Sequence, residues 1–451
     1  MTNETFSDRL KLAMQAKQFK QVDLIRAAQR RGVKLGKSHV SQYVSGKTVP
    51  RSDILHFLAD VLQVDPDWLL AKDSTVNYTA DTVSDSTESC SDPSAASLSQ
   101  TKTGGSPMRE FKKSSKLDNV LYDVRGPVVE EANRMEACGT QVLKLNIGNP
   151  APFGFRTPDE VIYDMSHQLT DCEGYSPSQG LFSARKAIMQ YAQLKKLPNV
   201  SIDDIYTGNG VSELINLCMS ALLDDGDEIL IPSPDYPLWT ACATLAGGKA
   251  FHYICDEQSE WYPDIDDIKS KITDKTKALV LNTPNNPTGM LYTEEELRAI
   301  AEVVVANDFY VVADEMYENL VYGEQKHVSI ASLGKDIYDR TITCSGVAKS
   351  YAMTGWRIGY TGSSKEIAKM MGSVQSHQTS NPNSIAQKAT VEALNGPQDS
   401  VAAMHDEFDK RRKYMYERIQ KMPLVSCIEP MGAFYVFVDA GEVLDKSYQG
   451  E

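Results

Sequence analysis

The chain has 451 residues, 41% of them hydrophobic and 24% charged, with a formal net charge of −15. That balance excludes a disordered chain, and no apolar run approaches the roughly 20 residues a membrane helix needs, so neither a helical membrane protein nor a membrane partner is expected. The length predicts two or three domains, and the polar N-terminus lacks an export signal's apolar core, which predicts a cytoplasmic location.

Charge is unevenly spread. Residues 1–75 carry twelve Lys/Arg and eight Asp/Glu, a balance of +4 against −19 for the remainder. A small basic module therefore precedes a large acidic body. Within the module Phe6, Leu10 and Met14, then Val22, Leu24 and Ile25, then Ile54, Leu55, Leu58, Ala59 and Leu62 fall at helical spacing and predict several short helices. Gln21 opens the second of them, SxxSxxxxGKxxP runs from Ser38 to Pro50, and LADVLQVDPDWLL closes the segment.

On these features residues 1–72 resemble the helix-turn-helix family of Cro and lambda repressor. The resemblance implies a small all-α domain whose third helix enters the major groove of DNA, with Gln21, Ser38, His39, Ser41 and Gln42 as the reading residues. The stretch RRGVKLGKS between helices two and three is longer than the family's tight turn. A helical interaction domain without DNA binding is the alternative, because a polar helix face is usually solvated surface.

Residues 73–107 are rich in Ser, Thr, Asp and Gly, almost without large apolar side chains, and predict a flexible linker. From 108 to 451 helix-like stretches such as TEEELRAIAEVVVAND alternate with short apolar runs: DEILIPSP, KALVLNTPNNPTG, FYVVADEMY and TITCSG. This alternation predicts an α/β domain around a largely parallel, buried sheet. Eight cysteines are scattered singly, never as CxxC, and read as reduced thiols, with no metal expected.

In open α/β sheets ligands collect at the C-terminal ends of strands. Four segments fall there: TGNGVSELI at 207–215, TPNNPTG at 283–289, ADEMY at 313–317 and SGVAKSYAMTGWRIGY at 345–360. Their order and spacing resemble the class I/II, fold-type I aminotransferases over residues 115–437. The resemblance implies the PLP-transferase fold: a mostly parallel sheet flanked by helices over about 150–370, and a smaller, incomplete α/β domain over about 371–451 with GAFYVF (Gly432–Phe437) as a strand. It also implies pyridoxal 5'-phosphate (PLP) as cofactor, and an amino acid and a 2-oxo acid as substrates.

The chemistry needs a lysine that forms a Schiff base with the cofactor aldehyde and then moves a proton at the substrate Cα; Lys349 matches it. Arg357 matches the family's phosphate-binding arginine, a task suited to a bidentate guanidinium. Asp314, ending FYVVAD, matches the carboxylate that keeps the cofactor's ring nitrogen protonated, as an electron sink requires. Tyr317 and Asn286 match the groups that hydrogen-bond the phenolic oxygen, so Lys349, Asp314 and Tyr317 are the expected catalytic residues.

Gly210, Val211 and Ser212 open a helix, where free N–H groups and the dipole suit a phosphate. Tyr236 matches the aromatic that stacks on the ring. Tyr175, in GYSPSQG, matches a tyrosine that reaches the neighbouring subunit's phosphate, which implies a homodimer. Gly148 matches a backbone contact to the substrate carboxylate, and Tyr122 and Arg125 match residues at the mouth of the site. Taken singly, each has an ordinary alternative as a cap, turn or core residue.

Residues 113–290 look most like bacterial alanine (glutamate–pyruvate) aminotransferases, whereas GVAKSYAMTGWRIGY has the look of aspartate aminotransferases. Transamination of alanine with 2-oxoglutarate leads. A PLP- or amino-acid-sensing transcription regulator is the competing class, and a C–S lyase on the same fold ranks below both. No Arg follows Arg418, so the arginine that clamps the substrate α-carboxylate in the family has no counterpart. The chain is thus expected to be a truncated form that binds cofactor, with full transamination reserved for a completed chain.

Overall fold

The computed structural model describes residues 5–70, 112–118, 120, 126–444 and 446, apart from 18, 32, 34, 63 and 199. The segment 73–107, Tyr122 and Arg125 lie outside the described residues, as does the side chain of Ser38. The chain divides into two compact units, Met1–Pro107 and Met108–Glu451.

The first unit holds helices α1 (Phe6–Ala16), α2 (Gln21–Arg30), α3 (Lys37–Val44), α4 (Ser52–Leu62) and α5 (Pro66–Leu69). Thr5 caps α1 through a reciprocal box with Asp8, which satisfies otherwise orphaned N–H groups. Phe6, Leu10, Met14, Leu24, Leu55, Leu58, Ala59 and Leu62 meet in one core, with Ile25 and Ile54 packed at its edge. Val22, by contrast, is 45% exposed. One turn of α2 can bury only the side of the helix that carries Leu24 and Ala28.

The second unit is built on strands β1 (Ile205–Gly208), β2 (Glu228–Ser233), β3 (Lys249–Ile254), β4 (Thr276–Asn282), β5 (Tyr310–Asp314), β6 (Thr341–Ser345) and β7 (Gly359–Gly362). Their order is β1-β7-β6-β5-β4-β2-β3. Pairs β2/β3, β2/β4, β4/β5 and β5/β6 are parallel, and β7 runs antiparallel to β1 and β6. The expected mostly parallel sheet is thus present, with one reversed strand inside it.

Its helices are α6 (Pro127–Ala137), α7 (Asp159–His167), α8 (Phe182–Leu194), α9 (Val211–Leu222), α10 (Leu238–Leu245), α11 (Ile265–Lys271), α12 (Glu294–Asn307), α13 (Lys335–Tyr338), α14 (Lys365–Gln378), α15 (Ser384–Asn395) and α16 (Asp399–Ile419). The central strands β2, β4, β5 and β6 are buried over most of their length because both sheet faces are covered there. Alternation sorts them: Val280, Val312, Ile342 and Cys344 pack with α9, α10 and α14 on one face, while Leu279, Leu281, Val311 and Ala313 pack with α11, α12 and α13 on the other. Among the described residues no helix is long and apolar enough to cross a membrane.

One expectation fails. Gly432–Phe437 is not a strand; only isolated bridges, Val321 with Gly432 and Ser426 with Asp439, occur there, and among the described residues after 371 no strand forms. Ala433 turns to φ 55°, and the consecutive Phe434 and Tyr435 both pack against Tyr317. A strand would send successive side chains to opposite faces.

Candidate active site

The sheet places the site through the ends of its strands. β4 and β5 run in register so that Asn282 lies beside Asp314, and the Asn282 Nδ2 donates to the Asp314 carbonyl at 3.4 Å. The backbone N–H of Asn286 in turn donates to Asn282 Oδ1 at 2.5 Å. The Asn286 loop is thereby tied to the strand end that carries Asp314.

At that end β5 stops and a turn begins. The Asp314 carboxylate accepts the Met316 N–H at 3.1 Å, and the side chain is 6% exposed. Burial pushes its pKa up to about 7, opposed chiefly by that N–H. A buried carboxylate so sparsely satisfied is matched to a cation beside it.

Tyr317 follows on the same turn. It is 3% exposed, and its hydroxyl lies 2.5 Å from that of Tyr435. Burial and the facing Tyr435 hold it well above the ordinary phenol range, so it serves as a neutral hydrogen-bonding group.

Lys349 sits in the connection that turns β6 back into antiparallel β7, residues 346–358. Its Nζ donates to the Gly148 carbonyl at 2.7 Å and lies 6.0 Å from the centre of the Tyr317 ring and 5.7 Å from that of Phe434. Desolvation, then the charge of Arg357, pull its pKa down to about 8, while Asp314 acts the other way. An amine so shifted is in part neutral, and hence nucleophilic, near physiological pH.

The same connection delivers Arg357, held in the left-handed region at φ 55°. Its guanidinium donates to the carbonyls of Thr354 at 3.1 Å and Asn209 at 3.4 Å, against the start of α9. There Gly210 has φ 86°, and a Cβ on it would meet Arg357 Nη2 at 2.4 Å. An exposed guanidinium and a helix N-terminus thus converge on one point, a setting for an anion.

An amine, a buried carboxylate, a buried phenol and an anion cradle fit the aldehyde, ring nitrogen, phenolic oxygen and phosphate of PLP. The structure brings together Lys349, Asp314, Tyr317, Gly148, Arg357 and Gly210, with Val211 and Ser212 in the first turn of α9. Tyr236 is half-buried and packs at the edge of the core beneath that helix. Tyr175 is 95% exposed, and among the described residues no contact joins it to the Lys349 group.

Asn282, Phe434 and Tyr435 escaped the sequence reading. Asn282 had a signal, an amide that ends an apolar run as Asp314 does, and the sheet pairs the two. The two aromatics were taken only as part of a strand.

Residues 140–449 match the family described as aminotransferase class I and II. The chain is 46% identical over 341 residues to the glutamate-pyruvate aminotransferase AlaA of Haemophilus influenzae, covering 73% of this chain and 83% of that one. It is 37% identical over 318 residues to an aspartate aminotransferase of Bacillus subtilis, covering 70% and 80%. A crystal structure of an aminotransferase from Escherichia coli matches with a TM-score of 0.69 at 46% identity, over 73% of this chain and 83% of that one. The chain therefore belongs to the class I and II aminotransferases, enzymes that use pyridoxal 5'-phosphate to move an amino group between amino and 2-oxo acids.

Proposed function

We propose that this chain exchanges the amino group between alanine and 2-oxoglutarate, giving pyruvate and glutamate. The observation that carries the reading is the desolvated Lys349 amine beside Tyr317 and buried Asp314. The choice of alanine rests on relatives named for that reaction at 46% identity, against 37% for the relative named for aspartate.

PLP, when bound, supplies an aldehyde that captures amines and a ring that accepts the electron pair left at the substrate Cα. Lys349 would hold the aldehyde, and its Nζ would carry a proton to and from the substrate Cα. Asp314 keeps the ring nitrogen protonated. Tyr317 and Asn286 would hold the phenolic oxygen, and Tyr236 would supply an aromatic surface for the ring. Arg357, with the N–H groups of Gly210, Val211 and Ser212, holds the phosphate. The Gly148 backbone would orient the substrate carboxylate. Phe434 and Tyr435, packed around Tyr317, exclude water from the amine.

The same reading makes the protein a homodimer in which Tyr175 reaches the partner's phosphate; its 95% exposure in a single chain supports this. Full-chain protein should show the absorbance of lysine-bound PLP, bleached by alanine and restored by 2-oxoglutarate. Aspartate bleaching it much faster would overturn the substrate assignment.

The first unit supports a second activity. Residues 1–72 form a helix-turn-helix module, joined by 73–107 to the enzyme body at 108–451, and bind DNA. Gln21 on α2 and His39, Ser41 and Gln42 on α3 are exposed, leaving those side chains open to base edges. A gel shift with DNA upstream of the chain's own coding sequence tests it. A shift that responds to amino acid would make the body a sensor for a transcription regulator.

A further inference from the structure

Behind the Asp314–Tyr317 turn lies a buried ionic cluster that the chemistry above does not use. Lys195 follows α8 directly. Its Nζ donates to Glu315 Oε2 at 2.8 Å and also pairs with the Glu318 carboxylate. The two glutamates are 1% and 9% exposed. Ser329 Oγ donates to Glu315 Oε1 at 2.5 Å, and Ser345 Oγ to Glu318 Oε1 at 2.8 Å. His327 faces both carboxylates, and burial pulls its pKa down, so the imidazole adds no charge. One ammonium is shared by two carboxylates and already occupies the place between them.

The turn explains what this arrangement can do. The N–H of Glu318 donates to the Glu315 carbonyl at 3.0 Å, and in such a turn residues three apart share a face. Glu315 and Glu318 form such a pair; Asp314 ends β5 immediately before it, and Tyr317 lies within the turn. We infer that Lys195 is a positioning residue for the amino-transfer site, clamping Glu315 and Glu318 so that their chain neighbours Asp314 and Tyr317 are held at fixed places. The inference rests on the reading of Asp314 and Tyr317 as the groups that face PLP.

A buried ion pair of this kind is seldom the most stable way to fill a core, so geometry is the better reason for keeping it. The clamp also reaches outward from β6 and α8. Ser345 ends β6 just before the Lys349 connection, and Tyr191 on α8, whose ring lies 5.9 Å from Lys195 Nζ, is hydrogen-bonded with Asn319 at 3.0 Å. Tyr351 and Tyr360 also feel the Glu318 charge. The elements carrying Asp314, Tyr317 and Lys349 are therefore joined through one ammonium.

The test uses Lys195→Met, Lys195→Arg and Glu318→Gln in the full chain. Three quantities are read: the PLP dissociation constant of the cofactor-free protein, the pH midpoint of the lysine-bound PLP absorbance, and kcat apart from KM for alanine. Lys195→Met should weaken PLP binding about tenfold or more, the scale seen for supporting groups around a bound centre. It should also displace the midpoint and lower kcat more than it changes KM, and Lys195→Arg should restore most of each. A folded Lys195→Met protein with unchanged PLP affinity and midpoint would overturn the clamp. If that variant does not fold, Glu318→Gln decides: the same changes on a smaller scale support the clamp, and none refutes it. Absence of the PLP absorbance from the unmodified protein would instead defeat the reading of the site itself.

Discussion

Arg357 and Gly210 meet so closely that a methyl group on Gly210 would lie 2.4 Å from the guanidinium nitrogen. The guanidinium and the start of α9 share one small volume, and only a residue without a side chain lets them do so. Because Gly210 also sits at φ 86°, an L side chain there adds about 1–2 kcal/mol of backbone strain.

The strain lowers the stability of Gly210→Ala with or without cofactor, whereas displacement of Arg357 should raise the PLP dissociation constant about tenfold. Titration of cofactor-free protein by fluorescence checks it. Pyridoxal without phosphate should bind both forms equally.

Asp314→Asn keeps the shape but removes the charge that holds the ring nitrogen protonated. PLP should still attach, while kcat falls by roughly 10²–10⁴, as for loss of one proton-controlling group.

The same substitution has a stability signature in the cofactor-free protein. Burial raises the Asp314 pKa from 3.8 to about 7, so between these values the folded state binds more protons than the unfolded one. The favourable contribution is full below about pH 4 and is lost as pH rises through about 7. Melting curves of the unmodified protein should therefore fall relative to Asp314→Asn across that window and run parallel above it.

Lys349, lowered to about 8, should capture PLP faster as pH rises and level off above about pH 8, since the neutral amine is the nucleophile. Stopped-flow absorbance of PLP added to cofactor-free protein measures this. A rate still climbing past pH 10 would mean an ordinary lysine.

In the first unit, Gln42→Ala and Ser41→Ala should each weaken DNA binding by about 1–3 kcal/mol, the scale of a lost base contact. Transamination should not change. Gel shifts at fixed salt, beside an activity assay, separate the two.

Much of this site was legible because its residues lie at strand ends, where an apolar run stops abruptly at a polar group. Asp314 after FYVVA shows that pattern, and Asn286 follows in the loop that begins where β4 ends at Asn282. Strands β1, β3 and β7 gave less signal: β1 and β7 are four residues each, and β3 is an edge strand with mostly exposed side chains. The Lys195 cluster was illegible, since Lys195 stands 120 residues from its partner Glu315 and a lone lysine after a helix reads as solvated surface. Phe434 and Tyr435 misled for a local reason, because an apolar-aromatic run of strand composition turns at Ala433 and lays both rings against Tyr317.

The account depends on one covalent bond, and borohydride reduction of PLP-loaded protein followed by peptide mapping tests it. The account predicts a single pyridoxyl label, on the peptide containing Lys349, and none in Lys349→Ala. Label on another lysine, or a labelled Lys349→Ala protein that still transaminates, would contradict it.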